Sequence, residues 1–247
     1  MARQVKVITA AEAAALIKNG DTVTTSGFVA SAIPEALDRA VEERFLATGE
    51  PRDITYVYCG SQGNKDGRGA EHFAHEGLLK RYIAGHWATV PALQKMALEN
   101  KMEAYNVSQG ALCHLFRDIA AHRPGCFTKV GLGTFIDPRN GGGKVNDVTK
   151  EDIIELVNIK GQDYLFYPAF PINVALIRGT YADESGNISF EKEVSPLEGT
   201  SVCQAVKNSG GIVVVQVEKL VKAGRSEEHT SELQSHHDLV CRLLLEK

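Results

Sequence analysis

An α/β fold with an open, mainly parallel sheet flanked by helices is what the sequence predicts, and three observations predict it. Apolar runs such as VALIR and IVVVQV are nearly continuous, as strands buried on both faces must be. Stretches of helical period alternate with them. Glycine loops, among them SGF, CGSQG and GLGTF, interrupt or follow these runs, where ligands of such sheets bind.

The elements follow in chain order. Thr9, with Glu12 three residues later, has the form of a capping box and opens an alanine-rich helix that Asn19-Gly20-Asp21 stops. A strand is expected at TVTTSGF. After Gly27, Ile33-Pro34-Glu35 opens a second helix, ALDRAVEERFLATG, since proline in a first turn forfeits no hydrogen bond and Glu35 suits the positive helix end. DITYVYCGSQG reads as a strand, HEGLLKRYIAG as a helix, TVPALQKMALENK as a helix and MEAYNVSQG as a short strand. ALCHLFRDIAAH is a helix with Leu112, Leu115, Phe116 and Ile119 on one face. Beyond it, TKVGLGTF, YLFYPAF, VALIRGTYA and GIVVVQVEKLV read as strands, TKEDIIELVN as a helix and DESGNISFE as a hairpin.

Composition excludes several classes. The chain of 247 residues has 43% hydrophobic and 23% charged positions and a net charge of −4, with charges of both signs interspersed. No basic face for nucleic acid or anionic lipid follows from this. No apolar run approaches the roughly 20 residues that span a bilayer, and no signal peptide is legible, so a cytoplasmic location is expected. Cys59, Cys113, Cys126, Cys203 and Cys241 lack CxxC or Cys/His ligand spacing, and buried free thiols are expected with no metal site. His72 and His75 lie one helical turn apart outside any HExxH, which favours packing over metal binding.

A break is expected at Gly224. Residues 1–224 read as one domain, whereas 225–247, RSEEHTSELQSHHDLVCRLLLEK, change character abruptly, and RSEEHTSELQS resembles a sequencing-library adapter translated in frame. On that reading 225–247 is a non-native tail; the alternative is a polar segment followed by a short natural helix at LVCRLLLEK.

Three loops could carry chemistry. In SGFVASAIPEAL, Gly27 permits close backbone approach; in VSQGAL, Gln109 and Gly110 stand between a strand and a helix; GLGTFIDPRNGGGKVND is the richest in glycine. Neither a dinucleotide fingerprint, nor a Walker phosphate loop, nor a GxSxG elbow is present. NGDTV, SGFVASAIPE, NVSQG, GLGTFIDPRNGGGKVN, DESGNISFE and AVKNSGGIVVVQVE, in this order, resemble the alpha-type half of the family I coenzyme A transferases, over residues 5 to 222. Within the family the set is most similar to bacterial acetate, acetoacetate and propionate transferases.

That resemblance implies a sugar-phosphate isomerase-like fold and exchange of coenzyme A between short-chain or 3-keto acids by a ping-pong route through a glutamyl-CoA thioester. It implies no cofactor beyond coenzyme A as substrate. The nucleophilic glutamate would belong to a beta-type half, so no catalytic residue is expected in this chain. The partners implied are acyl-CoA, a short-chain carboxylate and that half, in an oligomer. Gly27, Phe28, Gln109, Gly110, Gly133 and Thr134 are the substrate-binding residues it implies, with the Gln109 amide polarising the thioester oxygen. Glu35 is implied to serve a helix end. Ser26 and Ser108 depart from the glycine and proline common at these places. The readings set against it are a citrate lyase alpha-type relative, a non-catalytic partner subunit, and a nicotinamide dehydrogenase that the glycine pattern does not support.

Overall fold

The computed structural model describes residues 6–183, 185–222 and 241–245, the last for the backbone alone. Its first half climbs one way across a parallel sheet. β1 (Lys6–Val7) leads to α1 (Ala10–Ala14), whose start is the expected capping box: the Thr9 hydroxyl accepts from Glu12 N at 3.2 Å, and the Glu12 carboxylate accepts from Thr9 N at 2.8 Å. β2 (Thr22–Thr25), α2 (Glu35–Thr48) and β3 (Ile54–Tyr58) follow, α2 ending on Gly49 in the left-handed conformation. β4 (Leu79–Ala84), α3 (Pro91–Leu98), β5 (Glu103–Asn106) and α4 (Gln109–Ala120) complete this half.

The chain then leaves the sheet. β6 (Gly125–Thr128), β7 (Glu155–Ile159) and β8 (Gln162–Pro168) form a separate antiparallel sheet in the order β6-β8-β7. It returns as β9 (Val174–Arg178) beside β2, and β10 (Tyr181–Asp183) and β11 (Ile188–Ser189) make the expected hairpin. α5 (Gly199–Asn208), β12 (Ile212–Val217), β13 (Lys219–Val221) and β14 (Cys241–Leu245) follow.

The main sheet has eight strands in the order β1-β14-β12-β9-β2-β3-β4-β5, every neighbouring pair parallel. From β2 the chain moves outward through β3, β4 and β5, and from β9 it moves in the opposite direction to β12. Right-handed crossovers therefore place α2 and α5 on opposite faces, and the strand order reverses between β2 and β9. One side of the core is aromatic: Tyr56 packs on Phe73 (4.8 Å between centroids) and on Tyr82 (5.5 Å), and Tyr82 meets Trp87 edge-on at 4.7 Å. On the other, Leu112, Leu115, Phe116 and Ile119 bury the predicted stripe of α4.

Three expectations fail, each for a local reason. LLKRYIAG is the strand β4, not a helix; its Leu79, Tyr82, Ile83 and Ala84 are buried inside the sheet, and so short an apolar run fits either period. IIELVN is not helical either, since Glu155–Ile159 pair antiparallel with Gln162–Phe166 around Lys160-Gly161. TKVGLGTF is a series of turns after Thr128, because Gly131 (φ +100°) and Gly133 (φ +75°) stand in the left-handed region, which no strand adopts. The break expected at Gly224 falls outside the described residues. Cys241–Leu245 form a strand between β12 and β1, where the alternative reading of the segment had a helix.

Candidate functional site

The reversal of strand order gives the sheet a switch point at the carboxyl ends of β2 and β9, and the first glycine loop sits there. Thr25 and Ser26 anchor it to β9: Thr25 Oγ1 donates to Leu176 O (3.0 Å), Ser26 N donates to the same carbonyl (3.1 Å), and Ser26 Oγ accepts from Arg178 N (2.9 Å). Gly27 has φ +109°, and a Cβ there would lie 2.9 Å from Ser31 O. Phe28 N and Ser31 O, and Ser31 N and Phe28 O, close a tight turn at 3.0 Å each, while Val29 N donates to Ser61 O at 2.9 Å. The Phe28 ring is thereby left partly exposed, 39% of its surface, at the edge of the sheet.

Three further strand ends meet it. A Cβ on Gly60, after β3, would be 3.0 Å from the Phe28 ring, and His86, after β4, has its ring centroid 6.2 Å from that of Phe28. Gly85 lets α4 begin against β4: a Cβ there would lie 2.5 Å from Gln109 Cα and 2.6 Å from Cys59 O. Gln109 and Gly110 are exposed in the first turn of α4, where backbone N–H groups lack intrahelical acceptors, and Ser108 caps the turn through Ala111 N. Among the described residues no hydrogen-bond partner holds the Gln109 side chain. His86 keeps Nδ1 buried without a described partner. Gly85 and His86 were not expected from the sequence; their only signal was the strand-glycine order YIAGH, hidden by reading β4 as a helix.

Gly133 and Thr134 stand elsewhere. They belong to an exposed turn in which Gly133 N donates to Asp137 Oδ2 (2.8 Å) and Thr134 Oγ1 donates to Gly131 O (2.7 Å). Asp137, bound by the Arg139 guanidinium and by Gly133 N, has its carboxyl held far below the usual range. This loop reaches the sheet through Gly143, whose carbonyl accepts from Asn106 N at 2.8 Å. No described contact joins Gly133 or Thr134 to Phe28 or Gln109. Arg139 is spent on Asp137 and Asp163, and Lys144 on Asp152.

Beneath the first loop lies a charged buttress. Glu35, expected to serve a helix end, stands in the first turn of α2 and also accepts from Gly69 N at 3.0 Å and pairs with His72 Nε2 at 3.1 Å. Glu42 bridges His72 Nδ1 (2.5 Å) and His75 Nε2 (2.6 Å). Burial alone would lower the His72 pKa, but the hydrogen bonds to Glu35 and Glu42 outweigh it and raise it to about 9. Asp38, fully buried, is pushed well above the ordinary carboxylate value by desolvation, with Gln62 donating to it at 3.2 Å.

One cavity adjoins these residues and another does not. One of about 420 Å³ opens beside the switch point between Ile33, Glu35, Arg39, Arg68, Arg178 and Glu193. Another of about 270 Å³ is touched by Thr22, Thr55 and Arg81, at the starts of their strands, and so belongs to the opposite end of the sheet from Phe28. Among the described residues no helix is long and apolar enough to cross a membrane.

Known proteins resemble this arrangement. The profile of the family described as coenzyme A transferase matches residues 7–238. The caffeate CoA-transferase of Acetobacterium woodii is 46% identical over 213 residues, which are 86% of this chain and 41% of that protein. The crystal structure of the acyl-CoA transferase YdiF apoenzyme from Escherichia coli O157:H7 superposes with a TM-score of 0.92 at 37% identity, over 98% of this chain and 47% of that one. The alpha subunit of an acetoacetyl-CoA:acetate/butyrate CoA transferase from Clostridium acetobutylicum is 26% identical over 223 residues, covering 90% of each. The chain thus spans less than half the length of the first two and nearly all of the subunit.

Proposed function

The chain belongs to the coenzyme A transferase family, and from that premise we propose that it is the alpha-type half of an enzyme exchanging coenzyme A between short-chain carboxylic acids. The acids are short-chain acyl or 3-keto acids, and the half works with a beta-type half in an oligomer. The nucleophilic glutamate resides in that other half. Its carboxylate attacks the acyl-CoA carbonyl and the C–S bond breaks, giving a mixed acyl-glutamyl anhydride and coenzyme A as the departing thiolate. The thiolate then attacks the glutamyl carbonyl, the first acid departs, and a second carboxylate repeats the sequence in reverse.

The contribution of this chain is a wall. Phe28 supplies an apolar surface for a short acyl chain, its ring lying where a Cβ on Gly60 would come within 3.0 Å of it. Gly27 lets the loop turn close to the substrate, and the helix start at Gln109 and Gly110 presents N–H donors to the carbonyl oxygen as negative charge develops on it. Gly133 and Thr134, the other two residues the resemblance implies, stand in a separate exposed turn and are not part of this wall. The single observation that carries this reading is the convergence of Phe28, Gly60, His86 and Gln109 at one strand edge, with the Gln109 amide unspent.

The test combines the purified chain with a separately expressed beta-type half and follows transfer of coenzyme A from acetyl-CoA to an isotopically labelled short-chain acid. Exchange in the mixture and none with the chain alone is expected. Gln109→Ala should lower kcat/KM about 100-fold, the scale for removing one preorganised donor. A folded complex without exchange for any short-chain pair would overturn the assignment.

A further inference from the structure

Behind the wall, three segments remote in sequence bring together two thiols and a carboxylate. Cys59 follows β3, Cys113 lies one helical turn after Gln109 on α4, and Glu198 immediately precedes α5. Their ligand atoms all lie within 4.8 Å of one another. Cys113 Sγ donates to Glu198 Oε1 at 3.0 Å, and Tyr58 OH approaches the other carboxylate oxygen at 3.5 Å. Cys59 is fully buried, and Cys113 and Glu198 are half-buried. Among the described residues, no lysine, arginine or histidine pairs with the Glu198 carboxylate. A carboxylate that faces two thiols and a phenol, with no basic side chain paired to it, is a donor set a cation can take up.

We propose that Cys59, Cys113 and Glu198 form a binding site for a borderline-soft divalent transition-metal ion, zinc(II) being the first choice. Two sulfurs and one oxygen are a donor set that zinc and cobalt(II) take and that magnesium and calcium do not. A tetrahedral zinc with bonds of about 2.0–2.3 Å separates its ligands by about 3.5–3.8 Å, which side-chain rotations reach from the observed spacing. Tyr58 orients the carboxylate from its second oxygen, leaving Oε1 for the ion. Binding replaces the two S–H bonds by metal–sulfur bonds and releases both protons to solvent, with no change of oxidation state; water completes the fourth position. The bound ion ties the end of β3 to the starts of α4 and α5, directly behind Gly60 and Gln109.

Cobalt(II) is the probe. Titrated into the full 247-residue chain under reducing conditions, it should produce the near-ultraviolet sulfur-to-cobalt charge-transfer band at one equivalent. Histidines 229, 236 and 237 can bind cobalt but give no such band. Cys113→Ser and Cys59→Ser should each weaken binding at least 10-fold and remove most of the band. Glu198→Gln should weaken binding while keeping the band, and Cys126→Ser should change nothing. Because Cys59 is fully buried and its variant can misfold, the decisive pair is Cys113→Ser against Cys126→Ser, both checked by circular dichroism. Zinc should raise Tm in the parent and not in Cys113→Ser. A folded parent without the band, a band that survives in Cys113→Ser, or a Cys59–Cys113 disulfide in metal-free protein purified under reducing conditions would overturn the proposal.

Discussion

At the carboxyl edge of the main sheet, glycines are required because neighbouring atoms occupy the place of a side chain; in the loop from 129 to 144 they are required mostly by their own backbone angle. Gly85 has Gln109 Cα 2.5 Å from where a Cβ would be, and Gly27 has Ser31 O at 2.9 Å, whereas Gly133 has nothing within 4 Å and a φ of +75°. Gly143, where the loop touches β5, is the exception, with Asn106 O at 2.7 Å. The edge is thus a set of interlocked backbones that hold Phe28 and Gln109 in place, and most of the loop is a turn that fixes only itself. A glycine count treats the two alike; the packing around each separates them.

Substitutions break or sharpen this contrast in a definite order. Gly85→Ala should cost the most, about 3 kcal/mol in denaturant unfolding, because the clash is with backbone that cannot turn away. In the assembled enzyme it should also lower activity by displacing Gln109. Gly27→Ala combines a positive φ with a close carbonyl and should cost about 2 kcal/mol. His72→Gln probes the buttress that holds the 60–75 segment. The folded pKa of His72 is about 9, raised from 6.5, so its contribution is fully present below pH 6.5 and is lost as pH rises through 9. The variant should be less stable by about 1 kcal/mol near pH 6, after allowance for partial solvent screening, and the gap should close above pH 9. Gly133→Ala should cost about 1 kcal/mol through its backbone angle and leave coenzyme A exchange nearly unchanged. Gly110, in the first turn of α4 with nothing within 4 Å, should accept alanine with a gain of about 0.5 kcal/mol. An equal cost at Gly85 and Gly133 would erase the contrast.

How much of this was legible follows from the range of the interactions. The Thr9–Glu12 box, the proline-led start of α2 and the apolar stripe of α4 are set by residues within a few positions of one another, and the sequence carries them openly. Gln109 and Phe28 were legible as the ends of strand-to-helix turns. β4 was not, because its buried run Tyr82–Ala84 is too short to show a period, and with it went Gly85 and His86. β7 was misread because its partner β8, not its own pattern, makes it a strand. The Cys59, Cys113 and Glu198 cluster has no spacing to detect: it exists only because the end of β3 and the starts of α4 and α5 meet at one place. Glu35 likewise finds its partners, Gly69 and His72, across the fold rather than along its own helix.

The most direct test is hydrogen exchange on the chain assembled with a beta-type half, compared with and without a non-reacting acyl-CoA analogue. The account predicts slower exchange in residues 26–32, 59–63, 85–87 and 108–111, with a smaller change or none in 129–144. Protection confined to 129–144, with the sheet edge unchanged, would contradict it.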